Sequence, residues 1–158
     1  MSAFEDRLGA DLELLRNRRS QHDRDVGRDF STVARRGYLD LSTIAGVENI
    51  AQALLLRFLT AEGELAPLGH PRYGCRLHEL IGEPNTEASR NIAKLHVLRA
   101  LSQEPRVEKV LSATVATAPT DRGRVDVTLK LKIVSSDTPL NLVFPFSFDA
   151  VTEQGATP

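Results

Sequence analysis

Acidic side chains are the first candidates for chemistry in this sequence. A glycosidase needs two carboxylates across a cleft, one of them held protonated by an apolar pocket. Glu104 follows an apolar segment and is a possible general acid. Its possible partners are Glu62, Glu64, Glu79 and Glu83. However, Arg106 lies close to Glu104 in the chain, and a neighbouring cation favours the ionised carboxylate. This argues against a general-acid role, and we assign no catalytic residue.

The single cysteine and two nearby histidines are the candidates for a metal site or a nucleophile. His70, Cys75 and His78 do not have the paired spacings of known zinc motifs, and zinc prefers four ligands. Arg76 can lower the pKa of the adjacent thiol, but no nucleophile-elbow or phosphate-loop pattern accompanies it. We therefore expect no metal and no cofactor, and a structural role for Cys75.

The most distinctive short pattern is Glu104-Pro105-Arg106, two opposite charges separated by a stiff residue. It lies inside the stretch Arg90 to Val110, where a helical pattern changes to a strand pattern. Pro105 is expected to end the helix, because proline disfavours helical geometry before it and has no amide hydrogen. Two interpretations stay open. Glu104 and Arg106 form an intramolecular ion pair that fastens the helix end to the sheet, or one or both contact a partner subunit.

The elements around this turn follow from apolar spacing. The helix before it should bury Ile92, Leu95, Leu98 and Leu101, with Ala93, Val97 and Ala100 widening the face, and Asn85 or Thr86 as its cap. An earlier helix should bury Val47, Ile50, Ala51, Leu54, Leu55, Phe58 and Leu59. A short helix over 76–81 should bury Leu77, Leu80 and Ile81.

Before residue 46 the pattern is less regular. Residues 2–16 place Phe4, Leu8, Leu12 and Leu15 on one stripe, which predicts an amphipathic helix. The arginine-rich stretch over 16–20 is interpreted as a solvated helix end or as a contact for phosphate or an acidic partner. Residues 38–45 are expected to be connecting chain.

Three strands are predicted to complete the chain, over 107–118, 124–133 and 140–148. In the second, Val125, Val127, Leu129, Leu131 and Ile133 share one face; in the third, Leu140, Leu142, Phe144, Phe146 and Phe148 do. Together these elements predict an α+β fold, with N-terminal helices packed on one face of a C-terminal antiparallel sheet of three or more strands.

The last strand has features of a partner surface. Pro145 cannot donate to a ladder, so this strand should be an edge or contain a bulge. No charged residue protects it, and its outward face carries Asn141, Val143, Pro145 and Ser147. Either another chain completes the sheet here, or the tail or N-terminal segment covers the edge.

The Glu104-Pro105-Arg106 turn, followed by Val107 and Val110, resembles the signature of the baseplate wedge family of contractile tails. This family includes the lysozyme-like wedge protein of T-even phages, gene product W of P2-like phages, and the matching components of type VI secretion and of extracellular contractile injection particles. Similar stretches are 46–53, 60–64, and 70–74 leading to 80–82, in the family's order over about two thirds of the chain.

The resemblance implies a structural baseplate subunit that joins the wedge and hub to the first ring of the sheath, in six copies per particle and without a cofactor. It implies the wedge proteins, the hub or spike and the sheath as partners, and a partner contact at Glu104-Pro105-Arg106. The alternatives are a peptidoglycan hydrolase, or a free regulatory adaptor on the same fold. The resemblance does not distinguish a phage tail from a type VI or extracellular device.

Composition limits the remaining classes. With 158 residues we expect one domain, with an N-terminal helix and charged segment over 1–45, the family-like part over 46–148 and a tail over 149–158. A formal charge of -1 argues against a nucleic-acid binder. An acidic N-terminus without a signal-peptide pattern, and no apolar run of the ~20 residues that span a bilayer, argue against membrane insertion. We expect a cytoplasmic protein that assembles into a phage tail-like particle.

Overall fold

The structure is a computed structural model and describes residues 8–15, 32–134 and 136–149. Within them, two α-helices precede a three-stranded antiparallel sheet, which confirms the predicted α+β fold. Phe4 of the predicted N-terminal stripe, the arginine-rich stretch over 16–20 and the tail over 150–158 lie outside the described residues. No helix among the described residues is long and apolar enough to cross a membrane.

The first helix, α1 (Gly46–Leu59), confirms the predicted core face. Ile50, Leu54 and Phe58 are buried, because their spacing places them on one side of the helix. The Phe58 ring stacks on Phe144 of the last strand, with the ring centroids 4.8 Å apart. Leu59 was predicted to be buried and is exposed, because it is the last helical residue and lies beyond the sheet contact.

The second helix, α2 (Glu87–Leu101), begins where expected and buries part of the face that was predicted. The Thr86 hydroxyl accepts a hydrogen bond from Ser89 N at 3.1 Å, which confirms the predicted cap. The buried residues are Ser89, Ala93, Val97, Ala100 and Leu101. Ile92 and Leu95 are 44% and 62% exposed, so their prediction as core residues was wrong. The small side chains of the buried face let α2 approach the rest of the core closely, and this selects that face.

The sheet contains β5 (Val107–Ala118), β6 (Asp121–Ile133) and β7 (Leu140–Ser147), in that order and antiparallel. β6 is central and confirms the predicted alternation: Val125, Val127, Leu129, Leu131 and Ile133 are all buried. In β7, Leu140, Leu142 and Phe144 are buried against the helices, as is Phe148 just beyond the strand, while Phe146 is partly exposed. β7 is thus an edge of this sheet, as Pro145 predicted.

Residues 10–12 form a strand, β1 (Ala10–Leu12), so the predicted helix over 2–16 is wrong for residues 9–15, whereas Leu8 is helical. β1 pairs antiparallel with β4 (Thr43–Ala45), which had been expected to be connecting chain. The side chain of Gln52, which is buried on α1, explains why this segment is extended. The Gln52 Oε1 accepts hydrogen bonds from Leu14 N and Leu15 N at 2.8 and 3.0 Å, and its Nε2 donates to Leu12 O at 2.8 Å. These contacts replace helical hydrogen bonds.

The other half of the predicted connecting chain is also a strand, β3 (Tyr38–Leu41), which pairs with β2 (Thr32–Arg35) in a separate hairpin. Arg36 and Gly37 form its turn, both with positive φ, at 49° and 84°. Such primed turns match the twist of a hairpin. After α1, two 3-10 helices, Ala66–Leu68 and Arg76–Leu80, lead to α2. The second buries Leu77 and Leu80, as predicted, but leaves Ile81 exposed just past its end.

Candidate functional site

The Glu104-Pro105-Arg106 turn connects α2 to β5 and holds a buried ion pair within the chain. Glu104 is 6% exposed. Its Oε1 lies 2.6 Å from Arg106 Nε, and its Oε2 accepts from Arg106 Nη2 at 3.1 Å. This two-bond geometry is the strong form of an arginine–carboxylate contact. Arg106 Nη1 also donates to Leu8 O at 3.2 Å, which ties the turn to the N-terminal segment.

A second arginine, which the sequence analysis missed, approaches the same carboxylate. Arg57 on α1 is buried, and its Nη2 lies 3.6 Å from Glu104 Oε2. Its guanidinium also lies over the Tyr73 ring, 4.5 Å from the ring centroid. A signal was present in the sequence, because Arg57 lies three residues after Leu54 on the buried side of α1, where a cation needs a partner. We call Arg57, Tyr73, Glu104 and Arg106 the Glu104 cluster.

The cluster keeps Glu104 ionised. Burial acts to raise the pKa of Glu104, but the hydrogen bonds and charge of Arg106, with the charge of Arg57, more than offset it, so the pKa lies below its ordinary value. Burial likewise raises the pKa of the Tyr73 hydroxyl. A general acid must be protonated near neutral pH, and Glu104 is held in the opposite state. Glu104 and Arg106 thus form the intramolecular ion pair that was one of the two alternatives.

Three of the four other acidic candidates are engaged locally. Glu79 forms an ion pair with Arg76 at 2.7 Å, and Glu62 approaches Arg99 at 3.4 Å. Glu64 accepts a hydrogen bond from Ala61 N at 3.1 Å. These contacts link neighbouring segments on the protein surface, and each carboxylate has a role in local structure.

Cys75 and the two histidines are not gathered into one site. Cys75 is buried, and burial raises the pKa of its thiol. His78 Nδ1 lies 3.2 Å from the carbonyl oxygen of Cys75, and His70 lies on an exposed loop. Within the described residues, no group of three or more His, Cys, Asp or Glu side chains is arranged to hold a metal ion.

The edge strand β7 is the second candidate region, and the direction of its backbone groups follows from one hydrogen bond. Phe148 N donates to Gly123 O at 2.8 Å, and these two residues continue by one position the register that pairs Arg124 with Ser147. In an antiparallel pair, hydrogen-bonded positions alternate with positions whose backbone groups point away. Even-numbered residues of β7 therefore bond to β6, and odd-numbered residues direct their N–H and C=O groups to the free edge.

This alternation explains why proline is tolerated at position 145, and it places the backbone groups of the predicted partner residues at the same edge. Pro145 is odd-numbered, so its missing N–H would have pointed away from β6 and costs no bond in the ladder. Asn141, Val143 and Ser147 direct their amides to the same edge. Within the described residues, β6 is the only strand paired with β7. The predicted residues of β7 therefore form one continuous row whose outward backbone groups pair with no other strand of the described residues.

A crystal structure from Geobacter sulfurreducens, of a protein provisionally named a tail lysozyme, is similar over 68% of this chain and 93% of its own. The two share 28% sequence identity, with a TM-score of 0.56. No curated protein matches the chain. The family model described as baseplate wedge protein gp25 matches residues 45–138. This match spans more than half of the chain's residues. The chain therefore belongs to the gp25 baseplate wedge family, a family of structural components of phage tail-like particles.

Proposed function

We propose that this chain is the sheath initiator of a contractile injection particle. In this role it joins the wedge and hub of the baseplate to the first ring of sheath subunits. The observation that carries the proposal is the uncharged edge of β7. An extended segment of a sheath subunit would add to this edge, with main-chain hydrogen bonds supplying affinity and the flanking side chains fixing the register.

The two edges of the sheet differ in a way that supports this assignment. β5 carries Glu108 and Lys109 and is interrupted by register shifts, both of which discourage pairing with another chain. β7 pairs with β6 in unbroken register from Leu140 to Ser147 and has no charged side chain. A long, regular and uncharged edge is the one that an added strand would fit.

We propose that the wedge proteins contact the Glu104-Pro105-Arg106 turn. Pro105 is exposed, and the Arg106 side chain is 27% exposed, whereas Glu104 is buried beneath them. In this arrangement Glu104 fixes the shape of the turn, while Pro105 and the outer part of Arg106 contact the partner. The particle would contain six copies of the chain, assembled in the cytoplasm without nucleic acid or a cofactor in this subunit.

Hydrogen exchange tests the proposal at single residues. In the free protein the outward amides of Asn141, Val143 and Ser147 should exchange quickly. In the assembled particle they should become protected. The inward amides of Leu142 and Phe144 bond to β6 in both states and are the internal control. Equal exchange of the outward amides in both states would refute strand addition at this edge.

A pair of lysine substitutions provides a second test. Val143→Lys puts a charge on the edge strand, which should reduce sheath assembly while leaving the fold intact, because Val143 is only partly buried. Its cross-strand neighbour, Thr128, is exposed on the central strand. Thr128→Lys is therefore the matched control and should assemble normally. If both variants assemble as well as the parent protein, β7 is not the sheath surface.

A peptidoglycan hydrolase is the competing function, and we propose that the chain does not have this activity. The ionised state of Glu104 supports this proposal, because a hydrolase would need a protonated carboxyl to donate a proton to the leaving group. The purified chain should release no soluble fragments from cell walls. Wall hydrolysis that is lost in Glu104→Gln would overturn the structural assignment.

A further inference from the structure

A cleft of about 670 Å³ lies beside the Glu104 cluster. The loop over 69–73 forms one side, and Arg57 and Gln103 complete the lining. His70 and Arg72 are exposed on the loop, whereas Arg57 is buried at the base. The cleft is large enough to admit side chains of another molecule. None of its described lining residues belongs to β7.

The chemistry of the lining favours an anion. Arg57 and Arg72 are cationic, and Tyr73 and Gln103 contribute a hydroxyl and an amide that can donate hydrogen bonds. Among the described residues, no carboxylate lines the cleft. Guanidinium groups bind carboxylates through paired hydrogen bonds, so this combination of donors fits a carboxylate.

Arg57 has binding capacity that the described part of the chain leaves unused. Glu104 is the carboxylate nearest to both arginines, but Arg106 makes the short contacts with it, at 2.6 and 3.1 Å. Arg57 stands farther away, at 3.6 Å, and its buried Nε finds no hydrogen-bond partner among the described residues. A buried cation that shares one carboxylate with a closer competitor would be stabilised by a second anion.

We propose that this cleft binds an acidic segment of a partner protein, with a Glu or Asp carboxylate directed toward Arg57 and Arg72. Tyr73 and Gln103 would donate to the same segment, and the exposed His70 would lie at its rim. The partner is taken to be a chain of the same particle, so in that respect the inference rests on the proposed function. The cleft does not involve β7, and its test can fail independently of strand addition.

Binding of a defined probe tests the chemistry. A fluorescent hexaglutamate peptide is titrated into the full chain, with a hexaglutamine peptide and inorganic phosphate as comparison ligands. The hexaglutamate peptide should bind, and Arg72→Gln should weaken its binding about fivefold. Arg122→Gln removes an exposed arginine outside the cleft and should have no effect. Equal losses in both variants, or preference for phosphate or hexaglutamine, would overturn the assignment.

Cross-linking in the assembled particle tests the partner. Arg72→Lys places a primary amine at the rim, which a carbodiimide couples directly to a carboxylate in contact with it. Mass spectrometry should find a new cross-link from position 72 to an acidic residue of another chain, and Arg122→Lys should give none. A particle that assembles through β7 but shows no such cross-link would refute the cleft proposal while leaving the sheath proposal standing.

Discussion

Replacement of Glu104 by glutamine should destabilise the isolated protein, because it leaves two arginines without their shared carboxylate. Breaking a buried ion pair by removing one partner costs about 3–5 kcal/mol. The Glu104 side chain is 5% exposed, but that of Arg106 is 27% exposed and can recover part of its hydration. We therefore expect a loss of about 3 kcal/mol in the free energy of unfolding, at the lower end of that range.

The pH dependence identifies the carboxylate as the cause. The folded-state pKa of Glu104 lies below its ordinary value of 4.5, so its stabilisation is complete above about pH 4.5 and is lost as the pH falls through the folded-state pKa. Glutamine does not titrate. The difference in unfolding free energy between the parent protein and Glu104→Gln should therefore be constant near neutral pH and should narrow below about pH 4.5.

Urea unfolding at a series of pH values measures this difference, with Glu108→Gln as the control. Glu108 pairs with Lys132 at 2.7 Å, but both side chains are about half exposed, so its loss should cost about 0.5 kcal/mol or less. An unchanged midpoint for Glu104→Gln, or a difference independent of pH, would refute the argument. If stability were unchanged while assembly failed, the charge would serve a partner and not the fold.

Three further predictions concern the helices and their connecting loop. Leu54→Ala should cost about 2–5 kcal/mol because it leaves a cavity in the core, whereas Leu95→Ala on the exposed face of α2 should stay within about 0.5 kcal/mol; similar urea midpoints for the two would contradict the assigned helix faces. Gly74→Ala should be more destabilising than Gly82→Ala in thermal unfolding. Both glycines have positive φ, but an added Cβ at Gly74 would lie 2.5 Å from the nearest backbone atom, whereas the space around Gly82 is open. Equal losses of stability in the two variants would show that only the backbone conformation matters. Thr86→Ala should cost about 1 kcal/mol, measured by urea unfolding, through loss of the cap of α2, and Thr86→Ser should restore it.

The exposed apolar side chains of α2 show where sequence periodicity is ambiguous. Ile92 and Leu95 share a stripe with Leu98, and Ala93 and Val97 share another with Ala100. Both stripes were predicted to lie on one buried face, with the larger side chains of the first stripe at its centre. The second stripe is the one that packs in the core, because small side chains permit close approach. Helical spacing identifies both stripes, and only packing against the sheet chooses between them.

Local patterns alone determined much of this protein. The strand over 124–133 alternates with period two, which leaves only one way to bury its apolar side chains, and Thr86 is one of a few residue types that cap a helix. Pro145 restricts β7 to an edge through its own covalent structure. The family resemblance also depended on short motifs in a fixed order, which are properties of the sequence.

The tertiary structure decided the contacts between residues far apart in the chain. Residues 10–12 were predicted to be helical but form a strand. Gln52 forms hydrogen bonds with the backbone at the end of that strand and just after it. Arg57 meets Glu104 only because α1 packs beside the end of α2. Such pairings depend on loop closure and on competition among possible partners, which no local spacing encodes. The ion pair at Glu104 was one of two open alternatives in the sequence, and the approach of Arg106 and the buried Arg57 to one buried carboxylate gives it an intramolecular form.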